Sequence, residues 1–160
     1  MAATPLTATD RFFAKRVTKI VFATAVSNKL SPTRSEINAG KELSGQVSEV
    51  NGFGVTANLL DTPDYGTTFT GKIPGPTEAG DSSLKMYQSR DTNDFRRTAP
   101  RGTTGFILIM WGGDVPTQLM DVFPVTVSAV TKTIPDNAAA DMMFAFAITS
   151  EPAEDVVIPA

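Results

Sequence analysis

The sequence contains no cysteine and no histidine among its 160 residues. Without cysteine, the chain can form neither a disulfide bond nor a thiolate zinc site, and this absence fits synthesis in a reducing cytosol. Without histidine, it cannot build a Ser-His-Asp or Cys-His catalytic set, nor a histidine-ligated metal centre. These two absences exclude the commonest forms of hydrolytic and metal-dependent catalysis.

Apolar runs of membrane-spanning length are also missing. The run from Phe106 to Trp111 is far shorter than the roughly 20 residues that cross a bilayer, so we expect no membrane insertion by this chain. The start of the sequence, MAATPLTATDRFFAKR, has no apolar stretch ahead of its charges and does not fit a secretory signal peptide. We therefore expect a soluble product of the cytosol.

Basic residues do not outnumber acidic ones. The 14 lysines and arginines against 17 aspartates and glutamates give a net charge of −3. A dedicated nucleic-acid binder usually carries a basic stripe and a high isoelectric point, so this class is not expected. Arg90, Arg96, Arg97 and Arg101 nevertheless cluster ahead of a largely acidic C-terminal third. Two interpretations stay open: local ion pairs on a solvated helix, or basic and acidic patches that meet on neighbouring copies.

No set of residues singles out catalytic or cofactor-binding chemistry. The segment from Asp91 to Arg96 resembles part of a calcium loop, but Phe95 and Arg96 stand where a ligand and the bend glycine belong. A catalytic carboxylate pair is not distinguishable among 17 acidic residues, and solvated surface carboxylates are the favoured interpretation. We therefore expect no enzymatic activity, no cofactor and no metal site.

What the sequence does contain is a series of strand-like segments. They are separated by Gly, Pro, Asn and Asp clusters, a pattern that favours a β-sandwich or barrel. At this length we expect a single domain, residues 1–160, with a sizeable core. The segments are VTKIVFATA (17–25), QVSEV (46–50), FGVTANLLDT (53–62), TTFTGKI (67–73), SSLKMYQS (82–89), DVFPVTVSAVTK (121–132) and MMFAFAIT (142–149).

Alternation within these segments predicts which side chains share a face of a strand. In the segment 53–62, Thr56 and Asn58 form the polar face. In the segment 121–132, the two predicted faces are Val125, Val127 and Ala129, and Thr126, Ser128 and Val130. In the last segment, the in-phase apolar residues are Met142, Phe144, Phe146 and Ile148.

Two short helices are predicted between the strands. In TRSEINAG, Thr33 is the expected N-cap, and Glu36 three residues later completes a capping box. Gly40 is the expected stop signal of this helix. The second helix is predicted in DTNDFRR, from Asp91 to Arg97.

The run FILIMW, Phe106 to Trp111, needs cover on both faces. Burying each large apolar side chain contributes about 1.5–3 kcal/mol, and exposure on a sheet edge would create an aggregation hazard. One interpretation is a central strand covered within the subunit, with the TRSEINAG helix on one face and Trp111 buried. The other is that further copies of the chain complete the cover in a closed ring of sheets.

Two connections are too long for ordinary loops. Residues 27–45 and 61–81 both exceed the ~12–15 residues at which a connection becomes unusual. The segment 61–81 is Thr-rich, partly strand-like and flanked by prolines, which favours an extended β-hairpin arm over a disordered loop. We also expect residues 1–16 and 150–160 to be terminal arms that make contacts between subunits.

Several blocks, taken together in order and spacing, resemble the major tail tube proteins of long-tailed, non-contractile phages. The resemblance covers most of the chain from Ser31 to Ala160, and no single block is specific by itself. The blocks are SPTRSEINAGKELSGQVSEVNGFGV, DTPDYGTTFTGKIPG with DSSLKMY, RGTTGFILIMWGGDVPTQLMDVFPVTVSAVTK, and FAITSEPAEDVVIPA.

This resemblance implies a structural virion protein that forms hexameric rings. The rings would stack into a hollow tube whose inner wall is a continuous β-barrel, through which double-stranded DNA passes without specific binding. The implied partners are further copies of the chain and the tape-measure, tail-terminator and distal-tail proteins. The implied location is the virion tail, after assembly in the host cytoplasm.

Carried onto this sequence, the resemblance makes 62–73 an arm that reaches a neighbouring subunit or ring. Tyr65 and Phe69 are its expected anchors, because aromatic side chains dominate desolvated contacts. The full set of interface candidates is Asp64, Tyr65, Thr67, Phe69, Lys72, Arg96, Arg97, Arg101, Glu154 and Asp155. The candidates for the tube lumen are Glu49, Thr56, Asn58, Thr126 and Ser128, of which the last four lie on the polar faces of alternating strands. The acidic-leaning net charge suits a conduit, because a neutral or mildly acidic lining would let DNA slide.

Other functions remain open at this point. The protein could be a tail-terminator or head-decoration protein, which caps an assembly and does not polymerise. It could also be a monomeric carbohydrate-binding sandwich, although that role favours several exposed aromatic residues on one face.

Overall fold

The computed structural model describes residues 7–160, in which strands cover far more of the chain than helices. The elements, in chain order, are β1 (Lys19–Ala23), α1 (Arg34–Ala39), β2 (Lys41–Glu42), β3 (Val47–Asn51), β4 (Val55–Thr62), β5 (Gly71–Ala79), β6 (Ser82–Tyr87), α2 (Phe95–Thr98), β7 (Thr104–Met110), β8 (Leu119–Thr133), β9 (Asp141–Ile148) and β10 (Ala153–Val157). This confirms the mostly β fold with two short helices and an extended hairpin.

Eight strands form one antiparallel sheet with the order β2-β1-β7-β8-β9-β6-β3, and β10 adds to β8. The 15 residues of β8 give it room to change partner along its length. Its second half pairs with β9 from Val125 onward, and its first half pairs with β10 up to Val122. Pro124, which has no N–H to donate to a ladder, lies at this change of partner.

The sheet curls around a first core cluster. Side chains from five of its strands, from Phe22 on β1 to Phe144 on β9, pack into this cluster. Phe95, at the start of α2, enters it from the side and contacts both of those rings, with centroid separations of 5.2 and 4.8 Å. The curled sheet is thus a partly closed barrel with an aromatic centre.

A second core cluster covers the outer face of β1, β7 and the first half of β8. Ile37 of α1 and the C-terminal residues Ala153, Val156 and Ile158 are buried against Val21, Leu108, Met110, Met120 and Val122. The segment 150–160 is therefore not a free arm. It contains a strand of the main sheet and covers its core.

The apolar run on β7 is covered within one subunit. Ile107 and Ile109 face the first cluster, while Leu108 and Met110 face the second, and all four are buried. This confirms the central strand covered by the predicted helix, so the run itself needs no other copy. The expected burial of Trp111 is wrong: its side chain is 41% exposed, and its Nε1 donates a hydrogen bond to Asp121.

Helix α1 begins and ends as its sequence predicts, with one difference at its end. Thr33 caps it, and the reciprocal hydrogen bonds with Glu36 complete the capping box. Gly40 stops it in an extended conformation, with φ −69° instead of the left-handed conformation usual for such a glycine. Glycine is needed here because a Cβ would lie 2.4 Å from a methyl group of Val21.

Helix α2 is shorter than predicted. It covers only Phe95–Thr98, because Asp94 caps it by accepting a hydrogen bond from the Arg96 N–H. Within Asp91–Asn93, the Asp91 carboxylate accepts the N–H of Asn93 and so holds a turn ahead of the helix.

The alternation of β9 is confirmed, but that of β8 is wrong after Val127. Met142, Phe144 and Phe146 are buried in phase. On β8 the register shifts between Val127 and Ala129, so Ala129 is exposed and Val130 packs on the first cluster. A bulge inserts one residue into a strand and reverses the face on which the following side chains lie.

Candidate subunit interface

Strands β4 and β5 form a separate two-stranded sheet that continues the β3–β6 pair. The hairpin runs from Val55 to Ala79, so its strands begin before the predicted 61–81 segment and end just inside it. At its root, Gly52 has φ +74°, and a Cβ there would lie 1.9 Å from the carbonyl oxygen of Asp81. The Ser82 hydroxyl also donates to the Gly52 carbonyl oxygen at 2.8 Å. This root fixes the direction in which the hairpin leaves the sheet.

The hairpin exposes apolar side chains along its length. Leu60 and Ile73 are cross-strand partners, and both are about half exposed, at 49% and 50%. Leu59 on β4 and the tip residues Tyr65 and Phe69 are also exposed. An isolated two-stranded hairpin is at best marginally stable in water, and clustered exposed apolar residues mark binding surfaces. The hairpin therefore has the properties of a contact element.

Side-chain hydrogen bonds shape the tip of the hairpin. The Asp64 carboxylate accepts the N–H of Gly66 at 2.7 Å, and the Thr67 hydroxyl oxygen accepts the N–H of Phe69 at 3.1 Å. Short polar side chains commonly stabilise tight turns in this way. Lys72, another interface candidate, forms an exposed cross-strand ion pair with Asp61. Asp64 and Thr67 therefore hold the loop that presents the exposed side chains of Tyr65 and Phe69.

The arginine candidates differ in their availability. The Arg96 guanidinium is paired with Asp94, whose side chain is almost fully buried, at 2.8 Å. Burial alone would raise the pKa of Asp94, but hydrogen bonds from the Arg96 side chain and from two backbone N–H groups lower it to about 2. Arg97 and Arg101 are exposed. Of the three, Arg96 therefore stabilises the start of α2, whereas the charges of Arg97 and Arg101 face solvent in the subunit.

Glu154 and Asp155 are exposed on β10, which pairs with the first half of β8. The Asp155 backbone has φ +56°, and its N–H donates to the Asp121 carboxylate at 2.9 Å. These two acidic residues are on a different element from both the hairpin tip and the arginines of α2. The structure thus distributes the interface candidates over three separate surface regions.

One face of the sheet, across the strands β3, β6, β9 and the second half of β8, is covered by no element of the described chain. Cross-strand pairing makes Glu49, Lys85, Met143 and Thr131 a row across this face. We call it the open face, and define it by the rows Tyr87-Asp141-Thr133, Glu49-Lys85-Met143-Thr131, Asn51-Ser83-Ala145-Ala129 and Thr126-Ala147.

The open face is nearly neutral. Its charges include Glu49 and the Lys85–Asp141 pair, in which the nitrogen and oxygen lie 2.9 Å apart. The hydrogen bond and the charge of Asp141 raise the pKa of Lys85. Ser128, at the bulge of β8, is exposed and donates to the Ala145 carbonyl oxygen. Most other side chains here are alanine, serine, threonine or asparagine.

The lumen candidates separate into two groups in the structure. Glu49 and Thr126 lie on the open face, with Ser128 at its bulge, whereas Thr56 and Asn58 lie on the hairpin strand β4. Reading the sequence missed Ala129, Ala145 and Lys85 as members of this surface. Alternation identified the in-phase apolar residues of β9, but it could not show the β8 bulge that adds Ala129 to the open face.

Within residues 7–160, no group of three or more acidic side chains is arranged to hold a metal ion. No helix in the same range is both long and apolar enough to cross a membrane. One open groove lies beside the Lys85–Asp141 pair, and another lies between the hairpin root and the β9–β10 loop. The surface features that stand out are therefore the hairpin, the open face and exposed apolar side chains elsewhere.

A sequence profile described as "phage tail tube protein" matches residues 6–160. The fold is similar to the sheath/tube terminator of an extracellular contractile injection system, PVC, with TM-score 0.62 and 10% identity over 91% of this chain and 97% of the other. It is also similar to a chain of the anti-feeding prophage (AFP) baseplate, with TM-score 0.56 and 13% identity over 94% and 95% of the two chains. No curated protein sequence is significantly similar to this chain.

Proposed function

Because the chain belongs to the phage tail tube protein family, we propose that it is a tube subunit that forms hexameric rings, which stack into a hollow conduit for DNA. The observation that carries this proposal is the hairpin β4–β5, which projects from the sheet with its apolar side chains exposed. A subunit that polymerises needs such an element, since each copy must offer one surface to the next and receive another.

The hairpin provides the apolar surface for contact with a neighbouring copy, and its root sets the direction in which it projects from the sheet. Leu60, Ile73, Tyr65 and Phe69 present apolar area that a neighbouring copy would bury. Strands β4 and β5 pack on each other and make few contacts with the main sheet. Docking on a neighbour would add the further strands or covered face that an isolated hairpin lacks.

We assign the open face to the wall of the conduit. A wall in contact with DNA should be smooth, and it should not hold phosphates. The open face has mostly small side chains, and the one lysine in its rows, Lys85, is paired with Asp141. Free edges beside it, on β3 and on the hairpin, are positions where sheets of adjacent copies could join. Thr56 and Asn58 belong to this wall only if the hairpin extends it.

The proposed partners follow from this role. Copies of the chain form the rings, and tape-measure, tail-terminator and distal-tail proteins meet the tube inside or at its ends. The subunit would act without catalysis, assembling in the host cytoplasm and remaining in the virion tail. DNA would pass along the open face without sequence-specific contacts.

Electron microscopy of the purified, concentrated protein tests this function. Long tubes of uniform diameter with six-fold projections down the axis are the expected result. A protein that stays monomeric at high concentration, or forms rings of another order, contradicts the proposal. Addition of a preformed tail tip, as a nucleus, controls for slow initiation of assembly.

A second candidate function, tail termination, is favoured by the similarity of fold to a sheath/tube terminator. At 10% identity this similarity concerns the fold alone. A terminator closes one end of a tube and does not stack on itself. Discrete rings that bind the end of an existing tube, but never lengthen it, would establish that role in place of the first.

A further inference from the structure

Three exposed apolar side chains on neighbouring strands form a patch away from the hairpin. Leu119 of β8 and Val157 of β10 are cross-strand partners and are 49% and 57% exposed. Trp111, 41% exposed, follows β7 and reaches β8 through a 2.6 Å hydrogen bond from its Nε1 to Asp121. We call Trp111, Leu119 and Val157 the end patch.

The end patch has an acidic rim. Asp121 lies two residues from Leu119 on β8, and its other carboxylate oxygen accepts the N–H of Asp155. Glu154 and Asp155 are exposed beside it on β10. The two hydrogen bonds to Asp121 fix the indole ring and strand β10 in position. The end patch is therefore a preformed apolar surface, surrounded by the carboxylates of Asp121, Glu154 and Asp155.

The segment 7–16 has the complementary composition. Three basic residues and one acidic residue, Asp10, give it a net charge of +2, and Phe12 and Phe13 lie between the basic residues. Phe12 and Phe13 are 55% and 75% exposed, so the described chain leaves more than half of each aromatic residue uncovered. A turn at residues 14–17 joins the segment to β1.

We propose that the segment 7–16 of one copy docks on the end patch of another copy, with Phe12 and Phe13 against Trp111, Leu119 and Val157. This inference rests on the proposed self-assembly and names a contact within it. Charge favours the segment 7–16 over the hairpin as the element that binds the end patch. The hairpin has a net charge of −2, because it contains three acidic residues and one basic residue: Asp61, Asp64, Glu78 and Lys72. An acidic hairpin and an acidic rim repel each other, whereas the basic segment is attracted.

Cysteine cross-linking tests the contact, since the natural chain has no cysteine to interfere. One protein carries Phe13→Cys and a second carries Val157→Cys, both at exposed positions where substitution should leave the fold intact. The two are co-assembled, treated with a short bismaleimide and separated by mass under denaturing conditions. We expect covalent dimers from the mixture, and a ladder up to the closed ring from a single protein that carries both cysteines.

A matched control replaces Val157→Cys with Ile134→Cys. Ile134 is 83% exposed, so random encounters would label it more readily than Val157. Dimers with Val157→Cys but not with Ile134→Cys support the proposal. Equal cross-linking at both positions, no dimers from assembled particles, or only an internal cross-link in the doubly substituted chain would overturn it.

A charge exchange gives an independent measurement. The Lys15→Glu variant should raise the concentration needed for half-assembly by about tenfold, and Glu154→Lys in the same chain should restore most of the loss. Failure of the wild-type protein to form particles would instead contradict the proposed function itself. Wild-type assembly with no effect of Lys15→Glu would overturn only the docking of this segment.

Discussion

The ring centroid of Phe95 lies 4.8 Å from that of Phe144, with an angle of 52° between the ring planes. Phe95 begins a four-residue helix outside the sheet, while Phe144 lies in the middle of β9. Since Phe95 also contacts Phe22 on β1, one side chain joins two strands that are not adjacent in the sheet. The curl of the sheet, and so the orientation of the open face, depends on this contact.

Replacing Phe95 by alanine should therefore destabilise the fold strongly. A fully buried Phe-to-Ala substitution costs about 3–5 kcal/mol, because it removes apolar contacts and leaves a cavity. Urea unfolding followed by circular dichroism would measure the change in the free energy of unfolding. Phe95→Leu, which retains much of the volume, is the matched control and should cost clearly less. A loss below about 1 kcal/mol for the alanine variant would contradict the central role of this ring.

The hairpin should matter for assembly and not for folding. Deletion of residues 64–71 removes both aromatic anchors and leaves the main sheet intact, because β4 and β5 pack mainly on each other. We expect a folded monomer with nearly unchanged thermal stability and no tubes in electron micrographs. The double variant Tyr65→Ser and Phe69→Ser, which keeps the tip length, should raise the assembly concentration. Long tubes from the deletion variant would disprove the assigned role of the hairpin.

The root of the hairpin allows a paired glycine test. Gly52→Ala places a Cβ 1.9 Å from the Asp81 carbonyl oxygen and requires a non-glycine residue at φ +74°. By contrast, a Cβ at Gly54 meets nothing within 4 Å. We expect Gly52→Ala to lower the free energy of unfolding by about 1–3 kcal/mol and to impair assembly, because the hairpin must change direction. Gly54→Ala should have little effect, and equal effects of the two substitutions would contradict this account.

The features that the sequence predicted well are those encoded by neighbouring residues. The capping box of Thr33 and Glu36 needs only four residues, and the buried alternation of Phe144 and Phe146 needs only one strand. Burial of the β7 run followed from hydrophobicity alone. Such local signals fixed the fold class and located the candidate hairpin.

The wrong expectations depended on distant partners. The bulge after Val127 is set by pairing with β9, so alternation on β8 could not show that Val130 turns inward. The C-terminal segment became β10 because Val156 and Ile158 fill a core surface left open by β7 and β8. Trp111 remains partly exposed because its indole N–H donates a hydrogen bond to Asp121 at the edge of the core. None of these relationships has a local signature.

Stability should fall as the pH falls from about 4.5 toward 2. Burial would raise the pKa of Asp114, but hydrogen bonds from Lys19 and Arg34 lower it, and hydrogen bonds from Ser27 and Thr33 lower the pKa of Glu36 to about 2. Asp94 likewise has a pKa of about 2. A carboxylate with a depressed folded-state pKa stabilises the fold above its unfolded-state pKa, and this contribution is lost as the pH falls through the folded-state value.

The Asp94→Asn variant tests the predicted direction of this pH dependence of stability. It should lose about 2 kcal/mol relative to the wild type at pH 7, and this difference should shrink as the pH approaches 2. Urea midpoints measured across this range supply the comparison. Asp10→Asn, at an exposed position outside the sheet, is the control. A difference between wild type and Asp94→Asn that is the same at pH 7 and pH 2.5 would show that the carboxylate charge is not responsible.

The assignment of the open face to the conduit wall predicts how added charge would affect DNA passage. Ala129→Lys and Thr131→Lys together place two unpaired ammonium groups on this face, where each can neutralise a DNA phosphate and release counterions. We expect tubes of normal appearance but slower DNA release from particles that carry the variant, with the delay decreasing as salt is raised. Leu30→Lys, at an exposed position off the sheet, tests whether added positive charge elsewhere has the same effect. Normal release from the double variant, or an equal delay from Leu30→Lys, would mean that another surface lines the conduit, because only a lysine that meets the DNA along its path can retard it in a salt-dependent way.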